Sequence, residues 1–190
     1  MKEFYFESRL SGSGGQGLIL AGIILAEAAV LENFNVSQTQ SYGPEARGGA
    51  SRSDVVISNS KIYYPKTTKL DLLLALTQES CDKFFFDLKN EGILIIDSTN
   101  VKNIPTSKSF VYPISQYAYE KFNTLLVTNI ISLGIIQSLT QIVMEKSIKK
   151  AVSNRVPKHT EQLNLKALQF GMDLGKKDKK KVQEICPSIL

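Results

Sequence analysis

The segment Gly12-Ser13-Gly14-Gly15-Gln16-Gly17 restricts the fold of this chain more than any other part of it. Before it, Phe4, Phe6, Ser8 and Leu10 alternate with Glu3, Tyr5, Glu7 and Arg9, the two-residue period of a strand. After it, Leu18, Ala21, Gly22, Leu25, Ala28 and Ala29 recur at helical spacing, and Gly22 with the alanines makes one helix face thin enough to lie close on a sheet. Strand, glycine-rich turn and helix in that order is the setting in which G-x-G-x-x-G carries physical meaning. The glycines let the backbone turn sharply and approach a bound group, and free N–H groups at the helix start attract an anion.

The remaining pattern extends this unit into an α/β fold. Residues 36–40 suit a second strand. Residues 54–58 and 62–64, separated by Asn59-Ser60-Lys61, suit a hairpin attached to the sheet. Residues 70–76 and 93–96 are apolar without alternation, as strands buried on both faces are. A helix is expected over 78–88, ended by Gly92, and a last short strand over 110–112. Apolar stripes over 127–143 and at Leu163, Ala167, Phe170 and Leu174 give two helices joined by a basic linker around 149–158. The expected fold is therefore α/β and Rossmann-like, a mostly parallel sheet with flanking helices, an added hairpin and a helical C-terminal part.

Composition bounds the rest. In 190 residues, 43% hydrophobic and 22% charged, there is room for one ordinary domain, taken as 1–175, followed by a basic tail at 176–190. The net charge of +5 lies entirely in the last quarter. Its lysine run, 176–181, has no interleaved aromatics, so it reads as a solvated segment and not as a nucleic-acid surface. The apolar stretch 127–143 is broken by Asn129, Ser132, Gln137, Ser138, Thr140 and Gln141, which suits a core helix better than a membrane span. No export signal is evident at the N-terminus. Two distant cysteines, Cys81 and Cys186, make neither a disulfide framework nor a local metal motif, and a reducing, cytoplasmic setting follows.

Two segments could carry chemistry. For the turn at 12–17, a dinucleotide reading lacks its ribose acid: about twenty residues on, the chain offers Ser37, Gln38, Thr39 and Gln40. The Lys-Ser/Thr pair of a triphosphate loop is absent as well. Anion binding and close strand-to-helix packing without a ligand both remain open. The second segment, 40–52, reads Gln-Ser-Tyr-Gly-Pro-Glu-Ala-Arg-Gly-Gly-Ala-Ser-Arg. Gly43-Pro44 and Gly48-Gly49 shape a loop around Glu45 and Arg47, which either binds a carboxylate or phosphate through Arg47 or is a solvated turn with neighbouring charges. Asp97 and Ser98 end a buried strand at the edge where α/β proteins bind ligands, though Asp-Ser-Thr is also an ordinary turn. His159 reads as a helix-end residue, and Cys81, beside Asp82, as structural.

Taken together, the two glycine-rich segments resemble the gamma subunit of the 2-oxoacid:ferredoxin oxidoreductases. The likeness runs through residues 11–17, Ala21 and 24–29, through 39–58, Tyr64-Pro65, 71–78 and 92–97, and on to Asn129, Leu133-Gly134, Asn164, Ala167 and Gly171. The long loop looks more like the 2-oxoglutarate-type branch than the pyruvate-type branch, and Ser13 departs slightly from the residues often found there. The resemblance implies oxidative decarboxylation of a 2-oxoacid with coenzyme A to an acyl-CoA, carbon dioxide and reduced ferredoxin. It implies alpha and beta partner subunits, often with a ferredoxin-like delta subunit, and a complex that uses thiamine diphosphate, magnesium, iron–sulfur clusters and coenzyme A. None of these is expected to be held by this chain alone, which has no Gly-Asp-Gly segment with a downstream Asn and too few cysteines for a cluster. The gamma chain is implied to shape the coenzyme A region and the active-site entrance. The residues that would face it are Gly12, Gly14, Gly15, Gln16 and Gly17 of the turn and Ser41, Tyr42, Gly43, Glu45, Arg47, Gly48 and Gly49 of the loop, with Arg52 a further interface or coenzyme A residue. A stand-alone Rossmann-like nucleotide-binding protein and a purely structural scaffold subunit are the alternatives.

Overall fold

A computed structural model describes residues 4–41 and 50–186. One six-stranded sheet runs through it in the order β2-β3-β1-β4-β5-β6. The strands are β1 (Tyr5–Gly12), β2 (Asn35–Ser41), β3 (Ser51–Ser58), β4 (Leu70–Ala75), β5 (Leu88–Asp97) and β6 (Ser109–Tyr112). β1, β4, β5 and β6 pair in parallel, while β3 is antiparallel to both of its neighbours, β1 and β2. The mostly parallel α/β sheet expected from the sequence is present. The hairpin is not where it was expected. It is β2–β3, and residues 62–64 form no strand. Asn59-Ser60-Lys61 has turn chemistry, yet the chain beyond it crosses the sheet face as a loop instead of folding back as a strand.

Both faces of the sheet are covered, which explains the apolar runs. Leu72, Leu74 and Leu76 of the β4 region and Ile93 and Ile95 of β5 join the main core, while Leu70, Leu73, Ala75, Leu94 and Ile96 join a smaller cluster on the other face. The main face is covered by α1 (Leu18–Val30), α4 (Thr128–Thr140), α5 (Glu145–Arg155) and α6 (Glu161–Lys176). The other is covered by α2 (Gln78–Phe84) and its 3-10 extension Phe85–Asp87. Helix α1 lies close on β3 as its thin face predicted: a Cβ at Gly22 would fall 2.0 Å from Ser53 Oγ.

Three helices go beyond the sequence reading. α3 (Ile114–Phe122) follows β6, and α5 occupies the expected basic linker. α7 (Lys179–Ile185) lies in the segment set apart as a solvated basic tail, yet Val182 and Cys186 are fully buried in the main core. Lys181 donates to the Ser109 carbonyl at 2.7 Å and sits over the Phe110 ring, and Tyr112 donates to Asp178 at 2.6 Å. Up to Cys186 this segment is packed onto the sheet, and residues 187–190 lie outside the described residues. Gly92, expected to end a helix, lies within β5 beside the register irregularity of its pairing with β4.

Two packing devices fix this body. α4 and α6 meet backbone to backbone: a Cβ at Gly171 would sit 2.1 Å from the Ile131 carbonyl oxygen, and one at Gly134 2.2 Å from that of Leu168. On the smaller face, the charged side of β1 is buried instead of solvated, with Glu7 and Arg9 each 4% exposed. Arg9 holds Asp54 of β3 through Nε at 2.8 Å and Nη2 at 2.9 Å, bonds Thr67 at 3.0 Å and pairs with Asp87. Its guanidinium lies 4.7 Å from the centre of the Phe84 ring. Burial works against its charge, and the bonds and charges of Asp54 and then Asp87 outweigh it, so its pKa is raised. Glu7 accepts from the backbone N–H groups of Thr68 and Lys69 at 2.9 and 2.7 Å, which pins the crossing loop down.

Asp54→Ala leaves the buried Arg9 without its bidentate partner and is expected to destabilise the chain by about 3–5 kcal/mol, read from the urea midpoint. Gly171→Ala forces α4 and α6 apart and is expected to cost about 1–3 kcal/mol. The exposed Lys166→Ala on the same helix should stay within about 0.5 kcal/mol.

Candidate functional site

The turn between β1 and α1 is built from backbone and one folded-back side chain. Gly15 and Gly17 hold φ angles of 83° and 68°, left-handed values that a side chain resists. Gln16 Oε1 accepts from Ser13 N at 2.8 Å and closes the turn on itself. Asn129 of α4 donates to the Gly17 carbonyl at 3.0 Å and ties the turn to the helical layer. Gly12 is buried, whereas residues 13–15 are exposed, and a Cβ at Gly14 would meet nothing within 4 Å. No side chain caps α1, and its first turn carries no acid, so the positive end of the helix is left uncompensated.

Beside the turn lies a cavity of about 670 Å³, lined by Ser13, Gly14, Gly15, Gln16, Thr99, Asn100, Ser115, Gln116, Tyr119, Leu125, Leu126 and Thr128. It sits at the carboxyl edge of β1, β4 and β5, where parallel sheets place ligands. None of its lining residues is charged. The amino ends of α1, α3 and α4 all meet it, and none has an acid in its first turn. Behind α3 the fully buried Asp97 accepts from Thr99 N at 3.0 Å, Asn100 Nδ2 at 3.0 Å, Ser115 N at 3.2 Å and the Ser115 hydroxyl. The carboxylate is thus spent on shaping the wall and does not face the cavity as a base. Its lining combines hydrogen-bonding groups with the apolar surface of Tyr119, Leu125 and Leu126. Such a space suits an anionic group attached to a less polar body.

Of the predicted residues, Gly14, Gly15 and Gln16 line this cavity, while Gly12 and Gly17 form the frame of the turn. Ser41 ends β2, exposed at the same sheet edge but two strands from Gly12, and does not line the cavity. Tyr42, Gly43, Glu45, Arg47, Gly48 and Gly49 lie outside the described residues. The loop's return is anchored where Glu79 accepts from Ala50 N at 3.2 Å. Arg52 is turned to the smaller face, 3.8 Å from Asp54 and over the Phe84 ring, and is used there. His159 is exposed in the 3-10 turn before α6. Burial, then Asp82, pushes the Cys81 thiol up to about 11, which matches its structural reading.

Sequence reasoning missed Asn100, Ser115, Gln116, Tyr119, Leu125, Leu126 and Thr128. The available signal was the Asp97-Ser98-Thr99-Asn100 run after a buried strand, with Ile114, Ala118 and Phe122 at spacings of four along α3. A dinucleotide site loses its geometry as well as its acid, because antiparallel β3 separates β2 from β1 and carries the ribose position away from the turn. A second cavity of about 560 Å³ opens near the amino end of β5, but there Lys69 and Lys89 are engaged with the Phe86 carbonyl and Asp71.

A family model described as pyruvate ferredoxin/flavodoxin oxidoreductase matches residues 7–174. The KorC subunit of 2-oxoglutarate synthase from Methanocaldococcus jannaschii is 46% identical over 175 residues, covering 90% of this chain and 94% of that one. The structure of the gamma subunit of the keto/oxoacid ferredoxin oxidoreductase from Geobacter sulfurreducens superposes with a TM-score of 0.79 at 44% identity, covering 90% of this chain and 98% of that one. The 2-oxoglutarate:ferredoxin oxidoreductase of Magnetococcus marinus, solved with 2-oxoglutarate, coenzyme A and succinyl-CoA bound, shares the fold at 24% identity and a TM-score of 0.80. There the match covers 91% of this chain but only 31% of that one.

The geometry of the turn separates its glycines. Gly15→Ala is expected to cost about 1–2 kcal/mol through its left-handed backbone, and Gly14→Ala less than about 0.5 kcal/mol, both measured by chemical denaturation.

Proposed function

Because the chain belongs to the pyruvate ferredoxin/flavodoxin oxidoreductase family, we propose that it works as the gamma subunit of a 2-oxoacid:ferredoxin oxidoreductase whose substrate is 2-oxoglutarate. The assembled enzyme would join the acyl group left by decarboxylation to coenzyme A and pass the electrons to ferredoxin. The observation that carries the site assignment is the uncharged cavity at 13–16, where the uncapped amino end of α1 supplies positive potential without a lysine or arginine.

The redox groups of such a complex do not fit this chain. Cys81 and Cys186 are buried in different clusters, on opposite faces of the sheet, and among the described residues no three His, Cys, Asp or Glu side chains are grouped to hold a metal ion. Two cysteines are too few for a four-thiolate cluster, so this reading gives the iron–sulfur clusters, and with them thiamine diphosphate and magnesium, to alpha, beta and, where present, delta partners. What this chain supplies is positioning. The N–H groups around Gly14 and Gly15 donate to a phosphate of coenzyme A, Gln16 keeps the turn closed, and the apolar part of the lining takes the less polar part of the cofactor. Ser41 is assigned to the approach to that cavity. Support for this last assignment comes from β2 running in the direction of β1, so that Ser41 ends at the sheet edge that carries the turn. Among the described residues no helix is long and apolar enough to cross a membrane. Two buried free thiols agree with a reducing, cytoplasmic compartment.

The test is purification of the tagged chain from its source under gentle conditions. Larger chains carrying thiamine diphosphate and iron should accompany it, and the preparation should reduce methyl viologen with 2-oxoglutarate only when coenzyme A is present. Recovery of the chain alone would sink the proposal. In the assembled enzyme, Gly14→Leu should raise the KM for coenzyme A about tenfold or more while the subunits stay together; an unchanged KM would leave the turn a packing device.

A further inference from the structure

The two chain segments that supply the polar lining of the cavity present opposite hydrogen-bonding groups. In the turn, Gln16 Oε1 accepts from Ser13 N at 2.8 Å. Only the carbonyl oxygen of the amide can meet an N–H, so Nε2 is the part of Gln16 left for a ligand. With the N–H groups around Gly14 and Gly15 and the uncapped start of α1, the turn contributes donors. Residues 99–116 reverse the order. Asn100 Nδ2 donates to Asp97 at 3.0 Å and to Ser115 Oγ at 3.3 Å, which engages its N–H groups and leaves the Oδ1 carbonyl oxygen. Gln116 Nε2 donates to Glu120 at 2.8 Å, and its carbonyl oxygen is left in the same way. The start of α3 adds no donor from its second and third residues: Ser115 N is bonded to Asp97 and Gln116 N to Thr99 Oγ1, each at 3.2 Å. Asp97 is the source of this arrangement. It is fully buried, and its partners Thr99 N, Asn100 Nδ2, Ser115 N and the Ser115 hydroxyl all donate to it. A buried carboxylate is costly unless it is hydrogen-bonded, and here the compensating groups belong to residues that line the cavity.

We propose that Asn100 is a specificity-determining residue whose carbonyl oxygen accepts from an N–H or O–H group on an uncharged segment adjoining the bound phosphate, with Asp97 as the positioning residue that turns the amide that way. This rests on the coenzyme A reading given above and adds a direction to it. The anion sits on the donors of the turn, and a donor-bearing, uncharged segment lies along residues 99–116. A second phosphate is disfavoured there, because acceptor oxygens face it and Asp97 already compensates the amino end of α3. Coenzyme A has this chemistry in two places, the amide- and hydroxyl-bearing pantetheine arm and the amino group of adenine. Either one meets an acceptor that is fixed before the ligand arrives.

The assembled, tagged enzyme is the material for the test, with inorganic pyrophosphate, S-methylpantetheine and adenosine as inhibitors competing against coenzyme A. Asn100→Ala should weaken inhibition by one uncharged fragment about three- to tenfold, the loss of one hydrogen bond, and leave pyrophosphate within about twofold. An effect on S-methylpantetheine gives Asn100 to the pantetheine arm, and an effect on adenosine gives it to the base. The KM for coenzyme A should rise by the same factor at unchanged kcat, which decides the matter where a fragment binds too weakly to inhibit. Asp97→Asn sets an amide N–H against the Asn100 amide and turns it over. Inhibition by the same uncharged fragment should then weaken while pyrophosphate binds more tightly, a pair of opposite shifts that general damage to the wall does not produce. If that variant does not assemble, Asn100→Ala alone decides. Equal weakening of pyrophosphate and the uncharged fragments by Asn100→Ala overturns the inference, as does an unchanged KM for coenzyme A. Weakening of pyrophosphate by Asp97→Asn reduces Asp97 to a brace and overturns its positioning role. An assembled wild-type enzyme that needs no coenzyme A overturns the function proposed above, whereas coenzyme A dependence that Asn100→Ala leaves untouched overturns this inference alone.

Discussion

The buried bond between Arg9 and Asp54 is the constraint on which the rest of this structure depends. It joins β1, the strand that delivers the glycine-rich turn, to β3, the strand that runs against the direction of all the others. A guanidinium with so little access to water must be matched by carboxylates and hydrogen bonds, or its desolvation would outweigh what the sheet gains elsewhere. Asp54, Asp87 and Thr67 supply that match from three separate parts of the chain, and Phe84 covers it from α2. The hairpin, the crossing loop and the helix on the smaller face are thereby held at one point beneath β1.

From that point the site follows by geometry. β1 and β4 run in parallel, so Gly12 and Leu76 emerge together, with Leu76 N bonded to the Ser11 carbonyl at 2.9 Å. Asp97 does the equivalent work at the end of β5, gathering residues 99–100 and the start of α3 into one wall. The cavity surface is therefore made almost wholly of backbone amides, amide and hydroxyl side chains and a few apolar groups. Among the described residues no carboxylate lines it. That division suits a subunit that holds and orients a cofactor while the bond-breaking groups come from elsewhere.

Much of this was legible in the sequence, and the failures have physical causes. Buried strands announced themselves at Leu72 to Leu74 and at Ile93 to Ile96 because both faces of a parallel sheet demand apolar side chains. α1 was legible from its period and its small residues. The β2–β3 hairpin was not, because its connection, residues 42–49, is too long to carry the signature of a tight turn, while Asn59-Ser60-Lys61 offers one in the wrong place. α5 buries only Ser147, Ile148, Ala151 and Val152, a stripe hidden among lysines. The alternation in β1 located its two faces correctly, yet period alone does not say whether the charged face meets water or other charges. The turn was found by its glycines; the opposite wall of the cavity comes from residues near 100, 115 and 125, a meeting that only the fold creates.

The seam between α4 and α6 has a mechanical consequence. Where helices touch through side chains, rotamer changes let them slide; here carbonyls face the α-carbons of Gly134 and Gly171 directly, and no such slack exists. The pair moves as one plank. Since Thr128 opens α4, one wall of the cavity inherits that stiffness.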